Sequence, residues 1–258
     1  MKHELDEYAY INSFVHDWEP RLKMIGLLVL IFAFAFVQDL RLLPPMLIIT
    51  AAIFVLSRLP WRFLASRLKI PGLFIGFLVV SLPFVSGQTP LAELGPLTIW
   101  EEGVASAVLI IVRFVCIITL SLILFGTTKI TTNLKAMRAL RVPDIMVDMI
   151  LLTYRYLFEI GYYFSSTRTA VRMRGYEGSK LSMNNIRTLA SLMGNLLVRS
   201  YEQAERVYKA MILRGYGYGP LNYDEFNPQM RDKLYLMAVC LIALAFISLQ
   251  IYLQTEFA

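Results

Sequence analysis

Residues 103–128 read GVASAVLIIVRFVCIITLSLILFGTT, a stretch interrupted by one charge, Arg113. Crossing a hydrocarbon core about 30 Å thick takes about 20 mostly apolar residues of helix, so this stretch predicts a transmembrane helix. Residues 234–253 form a second such run with no charge at all. Composition says the same of the whole chain: 57% of its 258 residues are apolar and 17% charged, against roughly 45–50% and about 25% in soluble domains. The expected class is an all-α integral membrane protein.

Other classes fall away on the same figures. Disorder needs low hydrophobicity and high net charge, whereas the net charge is only +6. Two cysteines cannot build a disulfide framework. Cys116 and Cys240 each lie inside an apolar run and are expected as reduced thiols. The first twenty residues carry Glu4, Asp6, Glu7, Asp17 and Glu19, the reverse of a secretory signal, so the N-terminus is expected to be retained.

Working outward from these two runs, three further spans are expected. Residues 24–38 and 42–57 are short runs separated by Asp39 and Arg41 and read as a tight helical hairpin that borrows flanking Leu22 and Lys23. Residues 70–92 are free of charge but contain Pro71, Pro83 and Pro90, which predicts a helix starting at Pro71 and bent or ended near Pro83. Residues 58–69 hold Arg58, Arg62, Arg67 and Lys69, while residues 87–102 hold only acidic charges, Glu93, Glu101 and Glu102. Lysine and arginine stay on the cytoplasmic side, so the first loop is expected inside and the second outside. Alternation then puts the N-terminus inside and the tail after residue 253 outside.

The domain organisation that follows is a membrane region of four spans at 1–126, a cytoplasmic region at 127–233, and a final span and tail at 234–258. The middle region holds 16 of the 25 basic and 9 of the 19 acidic residues, a net of +7. So long a stretch must contain helices, since structureless loops beyond about 12–15 residues are uncommon. Pro143 suits a helix start, and Ile150, Leu151, Tyr154, Leu157, Phe158 and Gly161 recur at three- and four-residue steps. In residues 184–213, Ile186, Leu189, Met193, Leu196, Leu197, Ser200, Ala204, Val207 and Met211 fall on one face, predicting an amphipathic rod roughly 45 Å long.

Both predicted helices end alike. Ala170-Val171-Arg172-Met173-Arg174-Gly175-Tyr176 and Ala210-Met211-Ile212-Leu213-Arg214-Gly215-Tyr216 share Ala-x-x-x-Arg-Gly-Tyr, 40 residues apart. One such end is adequately explained as a cap: glycine adopts the left-handed turn, and arginine favours the negative end of the helix dipole by ~0.3–1 kcal/mol. Two matched ends on long rods in one basic region ask for more. A guanidinium at a helix tip is a rigid fork of donors suited to a carboxylate on a partner. The following Gly217, Gly219 and Pro220 stop the second rod.

These residues resemble the transmembrane T component of energy-coupling-factor transporters, in the cobalt/nickel branch typified by CbiQ. The resemblance covers nearly the whole chain. Leu5-Asp6-Glu7-Tyr8-Ala9-Tyr10-Ile11-Asn12-Ser13, then Pro20-Arg21-Leu22-Lys23, is similar to that branch's approach to the first span. Arg174-Gly175 and Arg214-Gly215 resemble the paired Ala-Arg-Gly signatures of its coupling helices, with Met173 and Leu213 standing where the family has alanine. The resemblance implies a non-catalytic subunit in a prokaryotic cell membrane. Its implied partners are a pair of ATP-binding cassette ATPases, a small substrate-binding membrane subunit and the lipid bilayer, with no nucleic acid. Arg174, Gly175, Arg214 and Gly215 would couple to the ATPases, and Ala170, Met173, Tyr176, Ala210, Leu213 and Tyr216 would surround that contact. The implied cargo is cobalt or nickel, held by the partner.

Catalytic machinery is not visible in the residues. No Gly-Lys dipeptide occurs, which excludes a phosphate-binding loop of the Gly-x-x-x-x-Gly-Lys type, so ATP and its magnesium are expected on other chains and no cofactor on this one. Ser86-Gly87-Gln88 is a chance fragment at a span end. His3 and His16 lack a cysteine partner, and no metal site is expected. Arg113 is expected to face the bundle interior, against a carbonyl-rich or acidic neighbour. The alternative is a lipid-modifying membrane enzyme using Asp144 and Asp148, which are one turn apart at a helix start where carboxylates commonly serve the dipole. A self-contained secondary transporter would show inverted repeats and midplane polar groups, and the clear repeat here lies elsewhere.

Overall fold

In the computed structural model, residues 13–85, 90–94, 97–175, 183–217, 226 and 228–257 are described. Eight helices follow one another: α1 (Pro20–Phe36), α2 (Leu43–Ser57), α3 (Trp61–Val85), α4 (Glu101–Gly126), α5 (Ile130–Ala139), α6 (Asp144–Met173), α7 (Met183–Leu213) and α8 (Met230–Phe257). An antiparallel pair, β1 (Pro90–Leu94) and β2 (Leu97–Trp100), joins α3 to α4, with Glu93 opposite Thr98 and Leu94 opposite Leu97. Among the described residues the architecture is all-α apart from this short pair. Two compact units result: Met1–Leu140 with Glu225–Ala258, and Arg141–Asp224.

The first unit packs around α1 and α4. Helix α1 lies against α8, α4 and α5, while α2 and α3 each pack on α4. The expected hairpin of the first two runs is therefore adjacent in sequence, but α2 takes α4 as its main neighbour rather than α1. Leu27, Leu30, Phe34, Met46, Cys116, Leu120 and Ile123 form the buried core, and Phe34 meets Phe246 of α8 edge to face at 5.2 Å. Gly26 lets α1 and α8 approach: a Cβ there would stand 3.1 Å from the Trp18 ring and 3.3 Å from Leu236. Cys116 and Cys240 are free thiols.

Residues 40–57, 61–82, 102–126 and 230–255 are helical segments long and apolar enough to cross a membrane. Helix α1 has 17 residues, about 25 Å of rise. Hydroxyls within α4 are satisfied locally, with Thr119, Ser121 and Thr127 donating to the carbonyls of Val115, Ile117 and Ile123.

The third span departs from expectation at its start. It begins at Trp61, so Arg62, Arg67 and Lys69 ride on the helix rather than in a loop, and only Arg58 to Pro60 connect it to α2. Arg58 closes α2 in the left-handed conformation at φ +53°, and the Phe63 amide bonds the Pro60 carbonyl at 2.9 Å to open α3. Pro71 sits inside the helix, leaving the Arg67 carbonyl without its usual donor, a defect that membrane helices tolerate. The helix ends at Val85, as expected near Pro83, and residues 90–92 belong to β1 instead.

Helix α5 also lies elsewhere than expected. Residues 127–140 fall in the first unit, where α5 packs on α1. Leu134 and Ala136 are buried there, so its apolar face serves the bundle.

Polar contacts at both ends of α1 tie this unit together. Lys23, fully buried, donates to the Val15 carbonyl and to Thr127 Oγ1, both at 3.1 Å, tying the start of α1 to the end of α4. Arg21 pairs with Glu19 at 2.7 Å, donates to the Phe226 carbonyl at 2.7 Å and stacks over the Phe226 ring. At the other end of α1, Arg113 Nη2 donates to the Val37 carbonyl. Gln250 of α8, wholly buried, accepts from the amides of Gln38 and Asp39 at 3.1 and 3.4 Å.

Candidate functional site: the paired helices and their arginine tips

The second unit is built from α6 and α7. Pro143 opens α6 by accepting from the Met146 amide at 2.9 Å, and Asp144 occupies its first turn, where a carboxylate complements the helix dipole. The helix then runs for 30 residues, and α7 for 31, giving rods of about 45 Å each.

Three contacts set their register. Tyr216 Oη donates to Asp148 Oδ2 at 2.8 Å, Gln203 Nε2 donates to Glu159 Oε1 at 3.2 Å, and the Arg199 guanidinium lies 3.6 Å over the Tyr163 ring. Ascending positions on α6 meet descending positions on α7, so the helices are antiparallel. Between these contacts lies a groove of 450 Å³, lined from α6 by Ile145, Met149, Leu152, Tyr156 and Ile160 and from α7 by Ser200, Ala204, Val207 and Met211.

On α7 the expected apolar face is therefore partly confirmed: Ser200, Ala204, Val207 and Met211 meet α6, but Ile186, Leu189, Met193 and Leu197 remain exposed; Leu192, outside that expected face, is buried. On α6 the expected face is largely the wrong one. Of Ile150, Leu151, Tyr154, Leu157, Phe158 and Gly161, only Leu157 lines the groove. The residues from Ile145 to Leu152 are apolar at nearly every position, so periodicity could not choose a side. Asp148 and Glu159 chose it by the partners they found.

Both arginine tips end as glycine caps. Gly175 stands at φ +89° and Gly215 at φ +81°, a region costly for residues with a Cβ. At the second tip the Tyr216 amide reaches back to the Met211 carbonyl at 3.0 Å and the Gly215 amide to Ile212 at 2.9 Å. At the first, the amides of Arg174 and Gly175 bond Val171 and Arg172, each at 3.1 Å. Arg174 and Arg214 are exposed, as are Ala170, Ala210, Met173 at 86% and Leu213 at 88%. Tyr176 lies outside the described residues, as do Tyr218, Gly219 and Pro220.

Antiparallel pairing separates the tips. Arg214 sits beside the start of α6 near Asp148, and Arg174 closes its far end, about 40 Å away along the rod. The sequence placed these arginines at helix ends but could not show that the ends point apart. It also missed Gln250 and undervalued Asp148; the only signal for the former was a lone amide in an otherwise apolar run.

Arg113 meets a carbonyl, one of the two expected neighbours, and belongs to the first unit's packing rather than to this site. Among the described residues, no three His, Cys, Asp or Glu side chains are grouped as metal ligands would be.

A multi-pass, all-α membrane protein carrying a pair of long helices with exposed arginine tips is the class these features define. Residues 11–222 match the CbiQ family, described as cobalt transport protein, and the chain belongs to that family. It is similar to the energy-coupling factor transporter transmembrane protein EcfT of Streptococcus equi, 24% identical with 93% of this chain and 94% of the relative covered. An uncharacterized protein of Methanocaldococcus jannaschii is 25% identical over 96% of this chain and 95% of the relative. A putative ABC transporter ATP-binding protein of Bifidobacterium longum is 36% identical over 51% of this chain but only 17% of its own length.

Proposed function

We propose that this chain is the transmembrane coupling subunit of an energy-coupling-factor importer in a prokaryotic cell membrane. Arg174-Gly175 and Arg214-Gly215 would each dock in one subunit of an ATP-binding cassette ATPase pair, which supplies ATP and magnesium. This chain performs no catalysis. Closure of the pair would move the two tips relative to each other, and the α6–α7 unit would pass that motion to a small substrate-binding membrane subunit.

The observation that carries the proposal is two exposed arginines, each fixed by a left-handed glycine, at opposite ends of one helical pair. Two separate docking points on one rigid lever suit a partner that itself has two halves. The relative named as an ATP-binding protein, in which the matching part is a small share of a longer chain, supports association of this fold with such ATPases.

The excess of positive charge at 127–233 supports a cytoplasmic position for the tips and the N-terminus, with the C-terminus outside. Cobalt as cargo is supported by the family's description, and nickel by the resemblance of the sequence to the cobalt/nickel branch alone. The test is co-purification: the wild-type chain should bring down an ATPase pair and a small membrane protein, and reversing both arginine charges should lose the ATPases while the chain stays in the membrane. Full recovery of the ATPases with the doubly reversed variant would refute the docking role.

A further inference from the structure

The second arginine tip is held from two directions. Behind it, the turn from Met211 to Tyr216 is closed by the amide bonds of Gly215 and Tyr216. Ahead of it, the Tyr216 phenol donates to Asp148 Oδ2 at 2.8 Å on the neighbouring helix. Arg214 lies between these two anchors with its own side chain exposed. Helix ends fray when nothing outside the helix restrains them. Here the residue that completes the cap is itself bonded to α6, so opening the turn would break an interhelical hydrogen bond as well as the two capping bonds.

We infer that Asp148 is a positioning residue for Arg214: by accepting from Tyr216 it fixes the direction of the second tip and joins that tip to α6 as well as to α7. This rests on the docking role proposed for Arg214. Its consequence is mechanical. Displacement applied at Arg214 reaches α6 directly through Tyr216 and Asp148, so that end of the helical pair moves as one body. Without the link, force at the tip would first unwind the last turn of α7.

Tyr216→Phe removes one hydroxyl and keeps the ring. Asp148→Leu removes the acceptor, whereas Asp148→Asn keeps an acceptor oxygen without the charge, which separates hydrogen bonding from electrostatics. Each variant is made in the full-length chain, alone and in an Arg214→Ala background. Two quantities are read: amide exchange of the 211–216 segment in the purified chain, and affinity for the ATPase pair that co-purifies with wild type.

A hydrogen bond to a carboxylate corresponds to about tenfold or more in an equilibrium, so Tyr216→Phe and Asp148→Leu should each speed exchange and weaken association by about that factor. Asp148→Asn, which keeps an acceptor oxygen but loses the charge assistance, should fall between wild type and Asp148→Leu on both measures. In the Arg214→Ala background, Tyr216→Phe should cost no further affinity, because a positioning residue has nothing left to position. A general loss of stability would instead add to the Arg214→Ala effect, and that result would overturn the inference. Unchanged association in Tyr216→Phe, with Arg214→Ala still weakened, would overturn it while leaving the docking role intact. Unchanged association in Arg214→Ala would overturn both.

Discussion

The guanidinium of Arg113, midway along α4, donates to the carbonyl of Val37, the residue that closes α1. Helix α1 stops after 17 residues, and its last carbonyls have no donors within the helix. Arg113 supplies one, and its charge also complements the negative end of the α1 dipole. Gln250 takes up the next two amides, those of Gln38 and Asp39. An arginine within an apolar span thus completes the end of a neighbouring helix.

Removing either partner should destabilise the first unit without touching the tips. Arg113→Leu leaves the buried Val37 carbonyl without this donor and Gln250→Leu leaves the Gln38 and Asp39 amides without this acceptor, at up to about 1–3 kcal/mol. Thermal unfolding of the detergent-solubilised chain should show a lower midpoint for both variants. An unchanged midpoint for Gln250→Leu would show that the amides of Gln38 and Asp39 find other acceptors.

Gly26 marks the closest approach of α1 to Trp18 and Leu236. Gly26→Ala adds a carbon that its neighbours must yield to by a few tenths of an ångström, whereas Gly26→Leu cannot be fitted without separating α1 from α8. Overpacking of this kind costs about 1–3 kcal/mol and should appear as reduced membrane yield and a lower unfolding midpoint for the leucine variant. Equal stability of all three forms would mean that α8 is free to shift.

At the tips the expected losses are of function. Arg174→Glu with Arg214→Glu should leave insertion and yield unchanged, since both side chains are exposed, and under the proposed docking role should reduce ATPase recovery on pull-down to below about a tenth, because each reversed charge would repel the carboxylates proposed to receive the tips.

Gly215→Val forces a β-branched residue to φ +81°, at a cost of about 1–2 kcal/mol or an altered turn. Uptake by cells producing this variant should fall, while Gly161→Ala, in the interior of α6 with open space around its Cβ, should transport normally. Normal uptake by Gly215→Val would show that the tip tolerates another geometry.

Much of this was legible in the residues. The runs at 103–128, interrupted only by Arg113, and 234–253 became α4 and α8, because a helix satisfies its own backbone within one segment of lipid-spanning length. Both Arg-Gly ends were readable for a similarly local reason: glycine past a helix end is a chain property. Pro71 misled, since proline's usual position at a helix start competes with its tolerance inside a membrane helix. The basic residues from Arg62 to Lys69 misled likewise, because charge marks a side of the membrane and says nothing of whether the backbone there is helical.

What the sequence determined by itself is thus what depends on neighbours along the chain: the class, the long apolar helices, and the two capped arginines. Tertiary structure alone decided which side of α6 meets α7, that the two tips point apart, and what Arg113 and Gln250 are for. Each of these is a pairing between residues far apart in sequence, such as Tyr216 with Asp148 or Val37 with Arg113. An apolar helix offers several equivalent faces to such a partner, and only packing in three dimensions breaks the tie.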